Sequence, residues 1–135
     1  MDITIITGAR PNFIKIAPLI GALNNWNNQH DSKLNYRLVH TGQHFDENMS
    51  KIFFEEMEIP KPDIFLNIKG EYHTERIGKM FNGLINILEN ENFDGIIVFG
   101  DVNTTLAGAI AAVKNNSKLI HIEAGLRSHD RRMPE

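Results

Sequence analysis

Short β-branched runs alternate regularly along this chain with stretches of helical periodicity. Ile96-Ile97-Val98-Phe99 is the clearest of the runs. Four consecutive apolar residues between Asp94-Gly95 and Gly100 describe a strand buried on both faces. Ile3 to Thr7, closed by Gly8, and Tyr36 to Thr41, closed by Gly42, read the same way. Ile64 to Ile68 is a weaker strand, and Leu119 to Ile122 is the last. Between them the period changes. Phe13, Ile16, Ala17, Ile20 and Leu23 share one helical face, with Pro11 in a first turn that needs no N–H there. A second helix is expected from about Asp46 to Met57, with Met49, Ile52 and Phe53 inward, ended by Pro60 and Pro62. Thr74 opens a third, with Ile77, Met80, Phe81, Leu84 and Leu88 inward. A fourth buries Leu106, Ala109, Ile110 and Val113.

Strand, helix, strand, helix predicts an α/β fold, a doubly wound parallel sheet of Rossmann-like form over residues 1–135. One domain of this length buries about two-thirds of its unfolded surface, enough for its own core. The formal charge is −3, 14 basic against 17 acidic residues, so no strong field draws nucleic acid or an anionic membrane. Cysteine is absent, which removes disulfides, thiolate nucleophiles and Cys-based zinc sites. The longest nearly apolar stretch, Leu106 to Val113, is far short of the ~18 residues of a membrane span. Met1-Asp2 leads straight into a strand without a basic leader, and a cytoplasmic protein is expected. The polar tail from Arg127 to Glu135 reads as cut rather than finished.

In such sheets ligands bind beyond the carboxyl ends of the strands, where strand order reverses. Topology brings three segments there: Thr7-Gly8-Ala9-Arg10, Gly100-Asp101-Val102-Asn103 and Glu123-Ala124-Gly125-Leu126-Arg127. The first turn lacks both the G-x-G-x-x-G fingerprint and a P-loop Lys-Ser/Thr, which argues against NAD and ATP hydrolysis. A helix N-terminus with Arg10 and, one turn on, Lys15 can seat a phosphate or diphosphate. On the plainer reading Gly8 only makes the turn and Arg10 is a solvated charge. Asp101 and Glu123 can act as acid and base if their surroundings separate their pKa values. Equally, Asp101, Asn103 or Thr104 can cap the fourth helix, and Glu123 can pair with Arg127. His44 follows the second strand and can touch a ligand. His121, inside a strand, reads as a hydrogen-bonded structural residue. His30, His73 and His129 have no metal-ligand spacing.

Several segments taken together resemble one family. Thr7-Gly8-Ala9-Arg10-Pro11-Asn12-Phe13-Ile14-Lys15-Ile16-Ala17-Pro18, Thr41-Gly42-Gln43-His44, Gly100-Asp101-Val102-Asn103-Thr104-Thr105 and His121-Ile122-Glu123-Ala124-Gly125-Leu126-Arg127 are similar, in order and spacing, to motifs of the non-hydrolysing UDP-N-acetylglucosamine 2-epimerases. Asp130-Arg131-Arg132-Met133-Pro134-Glu135 resembles the start of that family's acidic motif.

The resemblance implies a GT-B-like enzyme of two Rossmann-like domains facing a cleft, a homodimer using neither NAD nor a metal. It implies interconversion of UDP-GlcNAc and UDP-ManNAc for surface polysaccharide biosynthesis. Elimination of UDP across C1–C2 gives 2-acetamidoglucal, and UDP adds back with protonation on the opposite face of C2. By motif, Asp101, Glu123 and Glu135 become the proton-transfer residues, and Arg10, Lys15, Gln43 and His44 the nucleotide-sugar contacts. Phe45-Asp46 and Gly70-Glu71-Tyr72-His73 do not reproduce the polar residues of the family's second, activating UDP-GlcNAc site. The second domain is missing from residues 1–135, so the isolated chain is expected to be inactive without it or a complementing chain. The alternative is a non-catalytic α/β module that binds a UDP-sugar or a partner.

Overall fold

A computed structural model describes residues 1–42, 54, 56–91 and 93–132. Its elements are β1 (Asp2–Thr7), α1 (Phe13–Gln29), β2 (Asn35–His40), β3 (Ile64–Phe65), α2 (His73–Asn90), β4 (Gly95–Phe99), α3 (Asn103–Lys114) and β5 (Lys118–Ile122). The strands form one five-stranded sheet in the order β3-β2-β1-β4-β5, and every neighbouring pair is parallel. The chain winds outward from β1 through β2 to β3, then returns to the other side of β1 with β4. The strand order therefore reverses between β1 and β4, and the crevice beyond their carboxyl ends is the predicted ligand position. The helix expected from Asp46 to Met57 falls largely outside the described residues.

Alternation along the strands divides the core in two. Ile3, Ile5, Leu38, Ile97 and Phe99 face Phe13, Ile16, Ile20 and Leu23 of α1. Ile6, Val39, Ile96 and Val98 face Met80, Leu84 and Leu88 of α2 and Ala107, Ala111 and Ala112 of α3. Both faces are covered, as the unbroken apolar run in β4 requires. Each large side chain so buried contributes about 1.5–3 kcal/mol.

The fourth predicted helix exists, but it is turned. Its sheet-facing side carries Thr104, Thr105, Ala107, Gly108, Ala111 and Ala112, while Ile110 and Val113 are exposed and Leu106 and Ala109 half-buried. Close packing decides this. A Cβ on Gly108 would lie 2.9 Å from Val98 Cγ1 and 3.4 Å from Ile6 Cδ1. The small face lets α3 approach the sheet at a distance that larger side chains would prevent. Hydrophobicity selects Leu, Ile and Val; volume selects Gly and Ala. Here volume wins.

Candidate functional site at the strand switch point

Three loops meet where the sheet reverses, and buried hydroxyls join two of them. Thr41, just past β2, and Thr104, in the first turn of α3, place their Oγ1 atoms 2.8 Å apart. Both residues are buried. Gly8, at the end of β1, lies against this pair: a Cβ there would fall 2.0 Å from Thr41 Oγ1 and 2.3 Å from Thr104 Oγ1. Gly8 is thus required by lack of space.

The turn from β4 into α3 is held from within. Val102 is the N-cap residue and has no side chain that can cap. Its N–H donates to Thr105 Oγ1 at 3.3 Å, and the Thr105 hydroxyl donates to the Phe99 carbonyl. Neither Asp101, Asn103 nor Thr104 caps the helix, and the Asp101 carboxylate makes no hydrogen bond or ion pair among the described residues. Asp101 is half-buried just past the carboxyl end of β4.

Glu123 sits directly after β5. Ile122 packs on the α1 side of the sheet, so strand alternation would carry Glu123 to the opposite side. Its φ of +62° interrupts that alternation, and its carboxylate forms an ion pair with Lys15 from α1. A left-handed backbone at a non-glycine residue costs about 1–2 kcal/mol. Residues held in such conformations cluster at functional sites. Arg127 is not the partner of Glu123; it donates to the carbonyls of Ala124 (2.8 Å) and Leu126 (2.6 Å).

Gly100 precedes Asp101 and faces Glu123 and Lys15. A Cβ on it would stand 3.5 Å from Glu123 Oε2 and 3.6 Å from Lys15 Nζ. That is ordinary contact, so room is not the constraint; its φ of +62° is. Gly100→Ala is accordingly expected to cost about 1–2 kcal/mol, read from urea unfolding, with the Lys15–Glu123 pair intact. Lys15 and Glu123 therefore meet beside Gly100, the residue that precedes Asp101 in the chain. Arg10 is exposed in the 3-10 turn, Arg10–Asn12, that leads into α1. Gln43, His44 and Glu135 lie outside the described residues.

Sequence reasoning missed His40. It is fully buried at the end of β2, its ring centroid 5.7 Å from that of Phe13 and 5.2 Å from that of Phe65. Its Nδ1 accepts from the Gly42 N–H at 2.9 Å, fixing the turn that begins at Thr41. Loss of hydration on burial lowers its pKa from 6.5 to about 4. The unfolded chain therefore binds the extra proton first as pH falls. The stability contributed by neutral His40 is complete above about pH 6.5 and drains away between 6.5 and 4. Between pH 7 and 4 this amounts to about 3 kcal/mol. In urea unfolding, His40→Asn should lose correspondingly less than the parent chain over the same interval. The only sequence signal was an ionisable residue directly after the apolar pair Leu38-Val39.

A sequence profile described as UDP-N-acetylglucosamine 2-epimerase matches residues 27–135. The chain is 46% identical over its whole length to the UDP-N-acetylglucosamine 2-epimerase of Methanocaldococcus jannaschii, covering 35% of that protein. It is 47% identical, again over its whole length, to the UDP-2,3-diacetamido-2,3-dideoxy-D-glucuronate 2-epimerase of Pseudomonas aeruginosa, covering 37% of it. Among solved structures, the M. jannaschii enzyme in complex with UDP-GlcNAc and UDP aligns with all of the chain, which covers 36% of it. The TM-score is 0.89 and the identity 45%. The Neisseria meningitidis enzyme bound to UDP-GlcNAc aligns with 96% of the chain, at TM-score 0.82 and 32% identity, and is covered over 33% of its length. The chain thus spans about a third of the length of these relatives. It belongs to the UDP-N-acetylglucosamine 2-epimerase family.

Proposed function

We propose that residues 1–135 form the N-terminal Rossmann-like domain of a 2-epimerase acting on UDP-GlcNAc, with Asp101, Glu123 and Glu135 transferring protons at C2. Arg10 and Lys15 stabilise the departing diphosphate, and Gln43 and His44 contact the nucleotide sugar. The observation that carries this reading is Asp101: a half-buried residue whose carboxylate has no partner among the described residues, next in the chain to Gly100, which faces the Lys15–Glu123 pair.

The chemistry follows from the substrate. The C2 hydrogen of a pyranoside is not next to a carbonyl, so enolisation cannot acidify it. Expelling UDP from C1 while a carboxylate takes the C2 proton gives 2-acetamidoglucal, and returning UDP with a proton on the other face inverts C2. A base is needed at C2 and positive charge at the leaving group. In this reading, diphosphate binding draws Lys15 from Glu123 towards the phosphates and frees the carboxylate for the sugar. A further domain closing on the crevice keeps water from the glucal. The enzyme is a homodimer without NAD or metal, placed in the cytoplasm where nucleotide sugars serve polysaccharide synthesis.

The likeness to the Pseudomonas protein favours a second substrate reading, a UDP-2,3-diacetamido sugar acid. The chain can be fused to the remaining two-thirds of the M. jannaschii relative and assayed with both sugars. Turnover of UDP-GlcNAc supports the first reading, and turnover of the diacetamido glucuronate alone supports the second. UDP-sugar binding without turnover of either would identify a non-catalytic module. The 135 residues by themselves are expected to show no turnover.

A further inference from the structure

The Asp101 carboxylate has no partner among the described residues, so there its position is inherited from the backbone of the turn that carries it. On the helix side that turn is fixed by Thr105, as described above. On the strand side everything depends on Gly100, and β5 grips Gly100 at both ends. Its N–H donates to the Ile122 carbonyl at 2.9 Å. Its carbonyl lies 2.6 Å from His121 Nε2. A carbonyl oxygen can only accept, so Nε2 carries the hydrogen. His121 stands opposite Val98 in the parallel register, and two residues further on is Glu123. One imidazole thus spans from the strand bearing one carboxylate to the turn bearing the other.

We propose that His121 is a positioning residue: its Nε2–H holds the Gly100 carbonyl and so sets the separation of the Asp101 and Glu123 carboxylates. This rests on the reading that these two groups transfer protons at C2. Three features support a positioning task over a purely structural one. His121 is exposed, so its removal opens no core cavity. The bond it makes closes on a left-handed residue, and the next turn contains a second, Glu123. Neither left-handed turn is stabilised by apolar packing at its own side chain, since one is glycine and the other a carboxylate paired with Lys15.

Two measurements test it. Hydrogen exchange and imidazole NMR on the 135-residue chain should show a protected Nε2 proton on His121. His121→Phe should speed exchange of the Gly100 N–H by about fivefold to tenfold. His121→Gln, whose amide nitrogen can reach the same carbonyl, should restore it. In the fusion with the remaining two-thirds of the M. jannaschii relative, His121→Phe should lower kcat at least about tenfold with KM little changed, and His121→Gln should recover most of the loss. An unprotected ring proton, or a His121→Phe fusion with parental kcat, overturns the proposal. If the parental fusion binds the sugar without turnover, the proton-transfer reading fails, while the exchange data still decide whether the clamp exists.

Discussion

Gly8→Ala should destabilise the fold by about 2–3 kcal/mol, roughly a 6–15 °C fall in Tm for a domain of this size. The added methyl would meet Thr41 Oγ1 and Thr104 Oγ1 at 2.0 and 2.3 Å. Both hydroxyls are on short, β-branched side chains in buried positions, bonded to each other, so neither can rotate aside without breaking that bond. Gly100→Ala differs in cause. There the methyl has room and only the backbone conformation resists. Thr41→Ala and Thr104→Ala introduced together into the Gly8→Ala chain remove both obstacles and should recover part of the loss. A Gly8→Ala chain with unchanged Tm would mean that the three loop ends are not packed together as described.

Asp101→Asn should have the opposite signature. The carboxylate makes no bond among the described residues, so the neutral isostere should leave stability unchanged or raise it slightly. In the fusion with the M. jannaschii remainder, kcat should nevertheless fall by about 10²–10⁴-fold, the usual contribution of a positioned acid or base. Glu123→Gln should lose activity by a similar factor and also a little stability, about 0–1 kcal/mol, because it abandons Lys15 in a partly exposed pair. Activity that follows stability in both variants would point to scaffolding in place of chemistry. Activity lost with stability kept separates the two.

How much of this was legible beforehand differs from residue to residue. The central strands and the sheet class were readable because the continuous apolar runs of β1 and β4 are buried between two layers, while the edge strand β5, exposed along most of its length, was readable only from its short apolar run. The inward face of α1 was also readable, Phe13, Ile16, Ile20 and Leu23 being buried as their period demands. The inward face of α3 was not, because periodicity ranks residues by hydrophobicity and the sheet demanded smallness at Gly108. At the site, chain order alone brought Asp101 and Glu123 to the same edge. The pairing of Glu123 with Lys15 instead of Arg127 depends on a left-handed backbone, and a glutamate gives no local sign of one. The Thr41–Thr104 bond joins residues 63 apart, a contact that no local pattern encodes. His40 and His121 were visible as histidines, yet their bonds to Gly42 and Gly100 appear only once the strands are in register.

Exchange of the hydrogen at C2 of a UDP-sugar in the strand-switch crevice should register as solvent isotope uptake. The fusion protein incubated with UDP-GlcNAc in D2O should place deuterium at C2 of both epimers, and Asp101→Asn should abolish that uptake while the protein still binds UDP. Epimers interconverted without deuterium at C2 would exclude proton transfer at that carbon, and undiminished uptake in the Asp101→Asn protein would exclude Asp101 from it.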